Sequence, residues 1–404
     1  MSGRGIEPSV SVIIATSNDA EHLEKCLDSV LSQSFRDIEV IIVDVMSRDK
    51  TKDIIASYEK RDDRVIWLSD NLGSIGHAKN IGIDRASAPY IMIVEPYDCL
   101  KEGALKLLYN KMEEEPEYEL VKGIMESFDE ETESLPISAG GGARRGDGKE
   151  CVMARWMMFR CAGMYRSSFL RNKHIRHYDR SGSGRQSMAF DALGFIYANT
   201  LTMSDPVYMK RTDVKQKVVT DPKSVFDICA EFRFIEDRIR RSPDKWKLYR
   251  HTLWQVYFQS NLEMYEILSA NHRPKLSARM HDDIKSAIRV GDFDRDYFDE
   301  VTRDSLELLL DSPEEFDEEW KKRDWNYQIH RAQIQVKLDE EEAARREAEP
   351  ESGIERISRE TEENARKRRI DRGWLTDEMV RDLVPLRTLL GVSADEMGEI
   401  LGVS

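Results

Sequence analysis

Between Val10 and Met112 the apolar positions switch repeatedly between the periods of a strand and a helix. Val10, Val12, Ile13 and Ile14 form a short run rich in β-branched residues, as a buried strand requires. Asn18 and Asp19 then cap a segment in which Leu23, Leu27, Val30 and Leu31 recur on one helical face. Ile38–Asp44 predicts a second strand, and Thr51–Tyr58 a helix with Ile54, Ile55 and Tyr58 inward. Val65–Leu68 predicts a third strand. Gly73 and Gly76 lead into a helix through Ala86, Tyr90–Val94 is a fourth strand, and Gly103–Met112 a further helix. Strand and helix alternate with short connections. An α/β domain with a largely parallel sheet is therefore expected, with its ligand site at the carboxyl ends of the strands.

Beyond Met112 the pattern changes. Glu113–Glu117 is acidic, and Ala139–Gly148 is a glycine-rich loop without large apolar residues. Order is expected to resume around Trp156–Tyr208. From Val225 to about Leu338 the periodicity is helical, with Trp246, Trp254, Tyr257, Tyr265 and Leu308 as core candidates. Glu340–Arg372 is densely charged and broken by Pro350 and Gly353, as in a solvated helix or linker. Leu375–Ser404 turns apolar again. The expected organisation is an α/β domain over 1–215, a helical region over 216–338, a charged linker over 339–372 and a small helical tail over 373–404.

Composition narrows the function. The chain has 404 residues, enough for two or three domains. It lacks a run of about 18 apolar residues, so no membrane span is expected, and its first residues have no apolar leader core. Five scattered cysteines (Cys26, Cys99, Cys151, Cys161, Cys229) without a paired motif suit a reducing, cytoplasmic setting. A net charge of −15 argues against general nucleic-acid binding. It also means that an anionic substrate needs a local basic pocket.

Five ordered segments carry a family resemblance: Val10–Asn18, Cys26–Ser34, Ile41–Ser47, Gly76–Gly82 and Glu95–Asp98. Together they resemble a family 2 glycosyltransferase of the GT-A type, closely over about 8–112 and more loosely over 155–212. A dinucleotide-binding domain, with Asp44 on the ribose, fails at the first turn. The chain reads Thr16-Ser17-Asn18-Asp19-Ala20 there and lacks the glycine fingerprint. The resemblance implies a nucleotide-sugar donor, a glycan or glycoconjugate acceptor, and Mn²⁺ or Mg²⁺ held by carboxylates to stabilise the departing diphosphate. A further carboxylate takes the acceptor's hydroxyl proton.

Asp44, Lys79, Glu95 and Asp98 are the donor-site candidates, Glu95 and Asp98 the metal candidates, and Asp191 the candidate base. Arg185 and Gln186 are weaker candidates. Each has a plainer alternative: Asp44 as a turn cap, Glu95 and Asp98 as solvated loop acids, Lys79 as a surface lysine. The sequence departs from the family pattern at three places. Val45 stands where an acid contacts the nucleobase, Tyr97 where the metal ligand is expected, and Ser187 at the expected base position. Weak or absent catalysis follows from these departures. Val45→Asp with Tyr97→Asp is expected to strengthen Mn²⁺-dependent nucleotide binding. Among the histidines, His22 and His77 are read as exposed helix residues and His174 and His177 as parts of a basic surface loop.

Arg381–Ser404 is similar to the opening of a phage-repressor (XRE-like) helix-turn-helix. Ser393 fits the cap of a second helix, and Met397, Ile400 and Leu401 its inward face. The sequence ends where a recognition helix would begin, so specific DNA binding is not expected of this chain as it stands. Three functions stay open: a transferase, a non-catalytic relative that binds or regulates, and a DNA-linked regulator.

Overall fold

A computed structural model describes residues 7–128, 135–136, 162–179, 187–214, 219–298 and 300–323. The glycine-rich loop, Arg185, Gln186, the charged stretch at 340–372 and the helix-turn-helix-like tail lie outside them. The chain divides into two compact units, 1–313 and 314–404. In the second unit residues 314–323 are described, and they are helical.

The first unit is an α/β structure. Its strands are β1 (Val10–Thr16), β2 (Ile38–Val45), β3 (Val65–Asp70), β4 (Tyr90–Ile93), β5 (Cys99–Leu100), β6 (Leu120–Phe128), β7 (Leu135–Pro136), β8 (Gly163–Arg166) and β9 (Thr200–Arg211). Among the described residues they form one sheet in the order β3-β2-β1-β4-β8-β6-β9-β5, with β7 on β6. The four strands expected from the sequence are the parallel half. The other half is mixed: β8 runs antiparallel to β4 and β6, while β9 runs parallel to β6. β6 corrects the expectation of an irregular stretch after Met112. Lys122, Gly123, Glu126 and Ser127 interrupt its apolar pattern, and pairing on both sides builds the strand instead.

Two helical layers cover the parallel half. Val10, Val12, Ile14, Val40, Ile42 and Met92 share one core with α1 (Leu23–Leu31), α2 (Thr51–Arg61) and α4 (Ala104–Glu114). On the opposite face α3 (Ile75–Arg85) packs on β1 and β2. Gly82 makes this approach possible, since a Cβ there would sit 2.4 Å from the Ile13 side chain.

α5 (Ser167–Asn172) and α6 (Met188–Tyr197) follow, then α7 (Asp227–Arg240), α8 (Pro243–Ile267), α9 (Arg273–Arg289) and α10 (Glu300–Asp311). Trp246, Trp254, Tyr257 and Tyr265 are buried as expected, whereas Leu308 is half-buried and Leu306 and Leu309 take the inward positions. α7 also supports the start of α6. Ser187 gives α6 no side-chain cap, and the fully buried Glu231 of α7 accepts from the Ala189 backbone N–H at 2.8 Å. Glu231→Ala strands that buried donor and is expected to lower stability by roughly 1.5–3 kcal/mol. Glu231→Gln, which keeps an acceptor, should recover most of it in chemical denaturation.

Candidate donor site

The parallel register brings the strand ends to one edge. Thr16, Asp44 and Ser69 lie level, Val45 is level with Asp70, and the Val94 N–H bonds to the Ile13 carbonyl. Above them Ser17 Oγ donates to the Val45 carbonyl. Asn18 closes the two loops from both sides: its N–H reaches Ser47 Oγ at 2.9 Å, and its Oδ1 accepts from the Arg48 N–H at 2.8 Å. Asn18 and Met46 both adopt positive φ in this junction.

Three of the candidates and Ser187 meet in one narrow cleft. Lys79, Glu95, Ser187 and Asp191 line it together with Tyr165 and His177. Lys79 Nζ lies 2.6 Å from Glu95 Oε1, with the two side chains 4% and 15% exposed. α3 carries Lys79, and the start of α6 carries Ser187 and the buried Asp191.

Asp44 and Asp98 are elsewhere. Asp44 is buried on the α2 side, 3.7 Å from Lys52 Nζ and 3.4 Å from the Ser47 N–H, and its Oδ1 has no hydrogen-bond partner among the described residues. β1 separates β2 from β4, so Asp44 is about 10 Å across the sheet from the Glu95 loop. Asp98 is buried beneath that loop. Tyr208 Oη donates to its Oδ2 and the Arg211 N–H to its Oδ1, both at 2.9 Å. Tyr208 Oη in turn accepts from the Glu95 N–H at 3.0 Å.

Burial pushes the Asp98 carboxyl up to about 7, helped by the nearby charge of Glu95 and opposed by the Arg211 and Tyr208 hydrogen bonds. The folded state therefore holds this proton over a range in which the unfolded chain has lost it. The stabilisation is complete below the unfolded value near 4 and is lost as pH rises to about 7. Stability is expected to fall over that window by at most about 1.4 kcal/mol per pH unit from this group. Asp98→Asn should flatten the slope in urea titrations at pH 4.5 and 7.5.

A divalent cation does not fit these side chains. Glu95 is engaged by Lys79, both Asp98 oxygens serve β9, and Tyr97 offers a neutral phenol where a hard cation prefers carboxylate. Among the described residues no group of three His, Cys, Asp or Glu side chains is arranged to hold a metal.

Three histidine assignments need correction. His177 is buried, its backbone exchanges hydrogen bonds with the Asn80 amide at 2.9 Å each way, and its ring stacks on Phe190 at 4.2 Å. His77 is only 28% exposed and places Nδ1 3.1 Å from Asp70 Oδ1. His22 is also half-buried, and His174 is exposed as expected. Sequence reasoning missed Asp70 altogether. It is 2% exposed at the end of β3, and its Oδ2 has no hydrogen-bond partner among the described residues. Its place at a parallel strand end was the available signal. Cys26 and Cys99 lie under the Glu95–Asp98 loop, where burial raises both thiols and leaves them poor nucleophiles.

Residues 11–173 match the family described as Glycosyl transferase family 2. The chain is 34% identical over 122 residues to the glycosyltransferase GlyG of Streptococcus pneumoniae, covering 30% of this chain and 40% of that protein. It is 38% identical over 110 residues to the GalNAc(5)-diNAcBac-PP-undecaprenol beta-1,3-glucosyltransferase of Campylobacter jejuni, covering 26% and 35%. It is 38% identical over 102 residues to the putative teichuronic acid biosynthesis glycosyltransferase TuaG of Bacillus subtilis, covering 25% and 40%. The matched segment thus spans less than half the length of these relatives. The crystal structure of S. aureus TarS 1–349 in complex with UDP-GlcNAc superposes with a TM-score of 0.59 at 17% identity, covering 78% of this chain and 92% of that one. That likeness is one of fold, and it extends from the sheet into the helical region that follows. Residues 11–173 are thus similar to a family 2 glycosyltransferase domain, and the fold is a GT-A-like α/β structure.

Proposed function

We propose that the chain binds a nucleotide-sugar at the carboxyl edge of the parallel half-sheet and transfers the sugar slowly to a glycan or glycoconjugate acceptor. The observation that carries this is the cleft in which a buried cation, Lys79, faces two carboxylates, Glu95 and Asp191. In this reading Asp191 takes the proton from the acceptor hydroxyl, whose oxygen attacks the anomeric carbon. The bond from that carbon to the nucleoside diphosphate breaks, and its electrons leave with the diphosphate. Asp70, level with Val45, supplies an acid for the nucleoside where the family pattern is interrupted.

Calorimetric titration with UDP, GDP and CDP, followed by an assay of diphosphate release from the matching sugar donors, tests it. Saturable binding of one nucleotide with slow release is expected, and no saturation with any of them would overturn it. A non-catalytic binding role is supported by Val45, Tyr97 and Ser187 and by the structural engagement of Asp98. Binding without any release would favour it. The DNA-linked role rests on 381–404, outside the described residues, and has salt-sensitive DNA binding as its test. No helix among the described residues is long and apolar enough to cross a membrane.

A further inference from the structure

We propose that Lys79 is the resident cation of the donor site, so that the nucleoside diphosphate binds, and departs, against an ammonium group rather than a divalent metal ion. This rests on the donor-site reading above and specifies its electrostatics. A donor diphosphate brings negative charge to an edge that already holds Glu95, in a chain of net charge −15. Some local cation must offset it. The carboxylates that would assemble a metal are committed to protein partners, and Tyr97 adds none. The one cation lining the cleft among the described residues is Lys79.

Its setting fits the task. The Lys79 side chain is almost fully buried, and an ammonium so placed is retained because Glu95 balances it at 2.6 Å. α3 fixes the chain on which it is carried. Asn80, the next residue, is bound at both ends of its amide to the backbone of His177, another residue lining the cleft, which ties this turn of the helix to it. A diphosphate oxygen entering the cleft exchanges one anionic partner of Lys79 for another, and Glu95 competes with it. A metal-ligand role for Glu95 and a competing role therefore predict opposite outcomes on neutralising it.

The test is calorimetric titration of the nucleotide that binds best, in EDTA and again with excess Mn²⁺ or Mg²⁺, using the full chain. Affinity in EDTA should equal that with metal within about twofold. Lys79→Met should weaken it by about 10–100-fold, the range for a lost charge-assisted hydrogen bond, and Lys79→Arg should retain most of it. Glu95→Gln should tighten metal-free binding. The double variant Lys79→Met with Glu95→Gln removes both charges, so it controls for the unbalanced carboxylate left by Lys79→Met, and it should bind as weakly. Binding that needs metal, with Glu95→Gln abolishing it, overturns the assignment of Lys79 while leaving the donor site standing. Absence of nucleotide binding in both buffers overturns the donor site itself, and this inference with it.

Discussion

Asp191→Asn is expected to lower sugar transfer by about 10²–10⁴-fold, the range for removing a positioned base, while donor affinity changes little. Asp191 stands in the first turn of α6, buried, and lines the same cleft as Lys79. The asparagine keeps its size and one acceptor oxygen but has no useful basicity near neutral pH. A loss confined to kcat identifies a group that acts on the acceptor's proton. An equal loss of donor affinity would identify a residue that merely holds the cleft open. Ser187, one turn earlier, lines the same cleft, and the family resemblance implies a base at its position. Ser187→Asp adds a carboxylate at the N-terminal end of α6, where the helix dipole favours it, and should raise turnover above the parent chain. The two results together decide whether the base has moved by one turn or has been lost.

The parallel half of the sheet is legible in the sequence because its strands are continuous apolar runs. Burial on both faces demands this, and α1 and α2 fall between them with apolar residues on one face. The mixed half is not legible. β6 carries polar residues that only its two neighbours make sense of, and β5, β7 and β8 are too short for a period to register. The site divides along the same line. Lys79 and Glu95 follow from strand-end and helix-start positions, and their meeting is a consequence of β4 lying beside β1 with α3 above. The departure of Asp98 from the cleft could not be read, because it depends on Tyr208 and Arg211, more than a hundred residues further along the chain. His177 follows the same logic: it is basic and surrounded by basic residues in sequence, and becomes a buried wall only through Asn80 and Phe190.

The burial of Val45 leads to a different expectation for its replacement by an acid. By the family pattern Val45→Asp restores a nucleobase contact. In the fold Val45 is 4% exposed and is the cross-strand neighbour of Asp70, itself 2% exposed. A second carboxylate there faces the first across about 5 Å with little water, and like charges on neighbouring strands repel. Val45→Asp is therefore expected to destabilise the chain by about 3–5 kcal/mol, the scale of an uncompensated buried charge, without tightening nucleotide binding. Asp70 should carry the contact instead. Its Oδ1 is held by the Leu72 N–H and by His77, and Oδ2 remains for a donor from the nucleoside. α3 joins the two halves of this site, with His77 reaching β3 on one side and Lys79 reaching the β4 loop on the other. Asp70→Asn is expected to weaken nucleoside mono- and diphosphate binding alike by about 10–100-fold and to leave inorganic pyrophosphate binding unchanged. Lys79→Met should weaken pyrophosphate as much as it weakens the diphosphate. If Asp70→Asn reduced pyrophosphate binding to the same degree, Asp70 would be acting through the packing of α3 rather than on the nucleoside.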